Sequence, residues 1–250
     1  MLSLAWLGHS TVVLDLDGVR LLTDPLLLRH AGLLRRRTPM PTASSWAGTD
    51  AVLLSHLHRD HLDAPSLRGL DGPPPAIVPA GAEPLLRGLG YGTVTALTAG
   101  AGTRVGPLAV TAVPADHDGR RDPFGSLRAE AVGYVVSGRR RVYFAGDTDV
   151  YAGMTELAPL DVALLPVWGW GPSIGPGHMD PEGAARAAAL LRPRIAVPVH
   201  WGTLYPLLCR RRMARQLADP PHEFARRVAA VAPDVEVRVL APGESLVLDG

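Results

Sequence analysis

Four apolar runs in this chain each end in a residue able to hold a metal ion, and that recurrence restricts the fold more than any other feature. After Val52-Leu53-Leu54 comes Ser55-His56-Leu57-His58-Arg59-Asp60-His61, and after residues 110–113 comes Pro114-Ala115-Asp116-His117. Val142-Tyr143-Phe144-Ala145 leads into Gly146-Asp147-Thr148, and Ile195-Ala196-Val197-Pro198-Val199 into His200. Short apolar runs bounded by turn residues read as strands. In α/β architectures the carboxyl ends of strands form the crevice where chemistry is placed. A fold that gathers these four ends makes one pocket from five imidazoles and two carboxylates.

The densest end, residues 55–61, reads as half of a two-metal site. If the backbone stays extended through His58, His56 and His58 face one side while Leu57 turns back to the core. Asp60 and His61 follow once the chain turns, aimed where a second cation would sit about 3.5 to 4 Å from the first. The expected assignment is His56, His58 and His117 on one metal, Asp60, His61 and His200 on the other, and Asp147 bridging. Two divalent ions set against two carboxylates and a bridging hydroxide leave about one net positive charge. Such a centre draws anionic or carbonyl-bearing substrates and lowers the pKa of bound water toward about 7. The donor set suits zinc, and also manganese or iron.

Other polar residues are less decided by sequence. His9 follows a strand and His178 lies in a loop broken by glycine and proline. Each can orient a ligand, touch substrate or be a packed polar residue. The proton for a leaving group can come from Asp60, a nearby histidine or water. Asp24, before Pro25, reads as a turn residue, and His30 and His222 receive no role. Arg59 reads as solvent-facing or supporting.

Further strands are expected at 2–6, 11–16, 19–23, 51–54, 76–78, 108–113, 131–136, 141–145, 162–167, 195–199 and 235–240, with Asp17-Gly18 as a tight hairpin. A short helical pattern covers 82–89. Asp180-Pro181-Glu182 and Asp219-Pro220-Pro221 open two clearer helices. No linker, repeat or charge block divides the 250 residues, so one domain over 1–250 is expected. The net charge of +1 gives no reason to expect a nucleic-acid partner. All basic residues are arginine, and three triple runs occur, at 35–37, 139–141 and 210–212. They read as solvated loops, although the first borders residues 38–48, a candidate mobile loop that could meet an anionic substrate. Cys209 is the lone cysteine, and the N-terminal stretch has neither a basic leader nor a membrane span, so a cytoplasmic location is expected.

With these residues in place, the chain resembles the metallo-β-lactamase superfamily of metal-dependent hydrolases. Its HxHxDH motif matches His56, His58, Asp60 and His61, and the later His, Asp and His fall on His117, Asp147 and His200. Gly8-His9-Ser10 and Pro198-Val199-His200-Trp201-Gly202-Thr203 look like the branch of ascorbate-6-phosphate lactonases and N-acylphosphatidylethanolamine phospholipase D enzymes. The resemblance implies an α/β (α+β) fold, a four-layer αβ/βα sandwich with a dinuclear site at one rim and His9 and His178 near its mouth. It implies hydrolysis of an ester, lactone or phosphoester of a small molecule, with two divalent ions, zinc first. No cysteine matches the metal ligand common in true β-lactamases, and 250 residues leave little room for the inserted domains of the nucleases. Antibiotic and RNA cleavage are therefore not expected. The rivals are iron-dependent redox chemistry, as in the persulfide dioxygenases of the same superfamily, and a metal-stabilised binding module without turnover. The oligomeric state stays open.

Overall fold

The computed structural model describes residues 1–122, 125–207 and 209–249. The chain opens with β1 (Leu2–Gly8), β2 (Thr11–Leu16) and β3 (Val19–Thr23), an antiparallel meander. Asp17 and Gly18 between the last two have φ of 50° and 83°, the positive values that a tight hairpin requires. Two short strands follow, β4 (His30–Ala31) and β5 (Leu34–Arg36). Parallel strands β6 (Ala51–Leu53), β7 (Ala76–Pro79) and β8 (Val94–Leu97) then alternate with helices α1 (Ala64–Arg68) and α2 (Glu83–Gly88).

The second half repeats the plan. Strands β9 (Gly102–Val105), β10 (Leu108–Pro114), β11 (Val132–Ser137) and β12 (Arg141–Phe144) run antiparallel. Next come β13 (Leu160–Pro166), α3 (Pro181–Leu191), β14 (Pro193–Val199), β15 (Leu204–Pro206), α4 (Pro220–Val231), β16 (Glu236–Val237) and β17 (Ser245–Leu248). The sheet orders are β17-β1-β2-β3-β6-β7-β8 and β16-β14-β13-β12-β11-β10-β9, with β15-β5-β4 as a small third sheet. The two large sheets therefore each pair an antiparallel edge with a parallel one, and β17 returns to close on β1.

Alternation along the strands decides the layers. Leu2, Leu4 and Trp6 of β1 share one buried cluster with Leu108, Val110 and Ala112 of β10 and Ile195 and Val197 of β14, so the sheets face each other across a common core. Their outer faces are covered by helices. Leu67 of α1 and Leu86 of α2 pack with Val52 and Val78, while Ala184, Ala188 and Leu191 of α3 and Phe224 and Val228 of α4 pack with Ala163, Leu165 and Ala196. That is the four-layer αβ/βα sandwich. Asp180 caps α3 by accepting from the Gly183 N–H at 2.7 Å, with Pro181 in the first turn.

Some elements depart from expectation. β6 stops at Leu53, so His56 and His58 sit in an irregular segment rather than on an extended strand; Leu57 is still fully buried. The strand expected over 235–240 shrinks to β16. β4, β5 and β15 were not anticipated, because runs of two or three residues carry no readable period.

Candidate metal centre

Three of the turns that carry metal-capable side chains are pinned by backbone geometry that the local sequence resists. His9, Asp24 and His200 have φ of 53°, 32° and 60°, left-handed values uncommon outside glycine and found where surrounding structure overrides strain. The overriding contacts are present. The His9 carbonyl accepts from the indole Nε1 of Trp6 at 2.7 Å and from the His200 N–H at 2.9 Å, and the His9 N–H donates to Thr203 Oγ1 at 2.7 Å. The Gly8-His9-Ser10 and His200–Thr203 segments, far apart in sequence, are thus stitched together. At Gly146, φ is 62° and an added Cβ would lie 2.5 Å from Ser55 Cβ, so the turn bearing Asp147 rests directly on the start of the His56 cluster.

The result gathers all the candidate residues. His56 Nε2 and His117 Nε2 lie 3.1 and 3.0 Å from His58 Nδ1. Nitrogens bound at 2.0–2.1 Å to one tetrahedral metal stand about 3.3 Å apart, close to this spacing. On the other side, His61 Nε2 is 3.0 Å from His200 Nε2, and Asp60 Oδ2 is 3.8 Å from each. Asp147 spans the two groups: Oδ2 is 3.2 Å from His61 Nε2 and 4.0 Å from His56 Nε2, and Oδ1 is 3.2 Å from His200 Nε2.

The outer ring atoms settle which nitrogens can bind a cation. His61 Nδ1 donates to Asp24 Oδ2 at 2.7 Å, His200 Nδ1 to the Trp168 carbonyl at 2.8 Å and His117 Nδ1 to the Gly177 carbonyl at 2.7 Å. Because the Ser55 hydroxyl donates to Asp24 Oδ2 at 2.6 Å, it accepts from His56 Nδ1 at 2.9 Å. In the neutral rings every inward Nε2 therefore carries a lone pair. The His200 Nε2 lone pair meets Asp147 Oδ1 at 3.2 Å with no donor between them, and Oδ1, fully buried, has no hydrogen-bond partner among the described residues. Such an array needs a cation, and the residues present fit divalent metal.

The electrostatics agree. Burial pushes His56 and His58 below the usual imidazole value, and takes His9 down to about 3 and His117 to about 4, so these rings are neutral. Burial acts the same way on His61 but is overcome by Asp147, Asp60 and Asp24, which hold it well above that value: the pocket stabilises positive charge at this ring. Burial also opposes ionisation of Asp60 and Asp147, yet His61 and His200 outweigh it and both carboxyls are held well below the ordinary range. His9 Nε2 meets Asp60 Oδ2 at 2.9 Å, and both residues are buried. His58, His117 and His178 are only half-buried and mark the mouth. His178 Nε2 faces Asp147 Oδ2 at 3.4 Å. Burial lowers its pKa, but the Asp147 contact wins and raises it to about 9.

Two readings from sequence are corrected. Asp24 is no plain turn residue: it is fully buried and holds Ser55 through two bonds and His61 through a third. The signal was available, since Thr23-Asp24 ends β3 as the other acidic and imidazole residues end theirs. The Arg35–Arg37 run is not a plain solvated loop either. Arg36 is buried and donates to the carbonyls of Leu7, Leu26 and Leu28, and Arg37 donates to those of Gly202 and Leu217. The Trp168 and Gly177 carbonyls left no trace in the sequence, because any residue type supplies that acceptor. Arg59 points outward to Asp122, as expected, while Arg121 clamps the cluster by donating to the Leu57 and Leu62 carbonyls.

The β-lactamase superfamily domain matches residues 19–201, most of the chain and nearly all of the centre. The chain belongs to that superfamily. It is 34% identical over 249 residues to the UPF0173 metal-dependent hydrolase of Methanopyrus kandleri, covering 97% of this chain and 98% of that protein. It is 33% identical over 228 residues to the N-acyl-phosphatidylethanolamine-hydrolyzing phospholipase D 1 of Caenorhabditis elegans, covering 81% of this chain and 64% of the other. A metallo hydrolase from the archaeon Ignicoccus hospitalis has the same fold, with a TM-score of 0.77 and 27% identity over 100% of this chain and 99% of that one. The superfamily member described here is thus one of the metal-dependent hydrolases of the metallo-β-lactamase fold, with a His/Asp cluster fitted to metal.

Proposed function

We propose that residues 1–250 act as one hydrolase domain that cleaves an ester, lactone or phosphoester bond of a small, anionic molecule at a dinuclear centre, with zinc as the metal. The carrying observation is Asp147, whose two buried oxygens lie between an all-imidazole group and a group of Asp60, His61 and His200. His56, His58 and His117 would hold one cation and Asp60, His61 and His200 the other. When bound, such a pair supplies an acidified water and polarises the scissile bond.

The chain's own residues set the rest. His9 positions Asp60 and keeps it an acceptor, so Asp60 is a ligand rather than the proton source considered from sequence. His178 is the proposed group that gives or takes a proton, at Nε2 beside the mouth and 3.4 Å from Asp147 Oδ2, where a leaving group can reach it. Its counterpart His117 is braced by the carbonyl of Gly177, next to His178 in the chain, so ligand and proton donor are set by one loop. The likeness to a phospholipid-hydrolysing relative supports including phosphodiesters in the substrate class. Among the described residues no helix is long and apolar enough to cross a membrane; with the lone thiol of Cys209, a cytoplasmic site of action is proposed.

The test is metal analysis of protein purified without air, together with turnover of lactones, phosphodiesters and thioesters. Two zinc or manganese ions per chain and oxygen-independent hydrolysis are expected, and Asp147→Asn lowers metal content and rate together. Iron with oxygen consumption would replace this reading by redox chemistry. Tight binding of one of these compounds without turnover would replace it by a binding module.

A further inference from the structure

Two arginine runs that the metal centre does not use come together from opposite halves of the chain. β5 pairs antiparallel with β15, Tyr205 opposite Arg35 and Leu204 opposite Arg36, which sets Arg37 beside the turns that follow β15. There Arg37, Arg210 and Arg211, with Ala214 and Leu217, line a cleft of about 420 Å³. Neither segment brings a counter-charge: residues 25–49 and 201–218 contain eight arginines and no Asp or Glu. Among the described residues none of the three cleft arginines forms an ion pair. The run at 139–141 behaves differently, since Arg140 pairs with Asp161 at 2.8 Å.

Arg37 is held rigidly. Its Nε donates to the Gly202 carbonyl at 2.9 Å and its Nη2 to the Leu217 carbonyl at 3.1 Å, and its backbone N–H donates to the Thr203 carbonyl at 2.7 Å. Burial and the neighbouring Arg210 both work against its charge. Like charges held around a cleft repel, and an anion that enters recovers that energy. Guanidinium forks match phosphate oxygens in pairs, and a cleft of this size exceeds what a lone carboxylate fills.

We propose that this cleft is a binding site for a phosphate group, carried by a soluble phosphate ester or a lipid headgroup. None of its lining residues is a proposed metal ligand, and wild type and variants are compared in the same metal state. Metal-loaded protein is titrated with inorganic pyrophosphate and, separately, sedimented with phosphatidylglycerol vesicles against phosphatidylcholine vesicles. The double variant R210Q/R211Q alters two exposed side chains and leaves Arg37 to hold its carbonyls. The matched control R104Q/R139Q removes the same charge elsewhere, and any phosphate taken up by the metals is common to all three proteins. R210Q/R211Q is expected to weaken binding about ten-fold, with the control unchanged. Loss in the pyrophosphate arm assigns the site to soluble esters, and loss confined to phosphatidylglycerol vesicles assigns it to a headgroup. Equal binding by wild type and R210Q/R211Q, equal weakening by both variants, or no binding by wild type in either arm overturns the proposal.

Discussion

Asp24 shows how much of a metal site can rest on a residue that would touch no metal. Its Oδ2 accepts from both the Ser55 hydroxyl and His61 Nδ1, and Ser55 in turn fixes His56 Nδ1. One carboxylate therefore sets the tautomer of a ligand in each half of the centre. It also brings a third negative charge, so the count of two carboxylates made from sequence is one short and the centre lies closer to neutral. Asp24→Asn turns an NH2 group toward donors, or leaves one of them unpaired. We expect affinity at both metal positions to fall together, by about 10- to 100-fold, in competition titrations against a chelating dye. Loss at one position alone would show that the two halves are positioned independently. The ligand-type residues were readable in the sequence because they follow apolar runs; Asp24 follows the same rule, and only its proline neighbour disguised it.

The elements matter here mostly through the ends they present. Strands β10, β12 and β14 and the segment after β6 were legible because alternation and apolar runs are local signals, and the capped start of α3 was legible from Asp180-Pro181. The arginine-bearing β5 and its partner β15 were not, since their pairing joins residues 34–36 to 204–206. Two substitutions separate an element's stability from its contribution to the site. Asp180→Ala removes the bond to the Gly183 N–H and should cost about 1 kcal/mol in denaturant unfolding, with metal content unchanged. Gly146→Ala forces a side chain into a left-handed turn against Ser55, and should cost about 1–3 kcal/mol while also lowering metal content, because Asp147 is the next residue. If Gly146→Ala leaves metal content intact, the close packing of the two turns is not what places Asp147.

At the scale of the whole molecule, burying so many imidazoles between two sheets ties stability to protons. His9 and His117, with folded values of about 3 and about 4, stay neutral where the unfolded chain, near 6.5, takes up protons. Their contribution is complete above about pH 6.5 and is lost as pH falls toward 4. His61 and His178 are shifted the other way, so their contribution is fully present below about pH 6.5 and is lost only as pH rises above it, while Asp60 and Asp147 lose theirs only below the ordinary carboxylate range. In excess chelator, urea midpoints should therefore fall steadily from about pH 6.5 to about pH 5, and added zinc should raise them; a flat profile would contradict neutral buried rings. The sequence by itself determined the strand ends and the donor types, because covalent neighbours and apolar runs are local, and it implied the layered fold only through the family resemblance that those motifs carry. Only the tertiary structure decided which ring nitrogen each imidazole turns inward, that Asp24 joins the centre, and that arginines from both halves line a separate cleft. Those outcomes depend on acceptors such as the Trp168 and Gly177 carbonyls and on pairings between distant segments, whose partners no local pattern names.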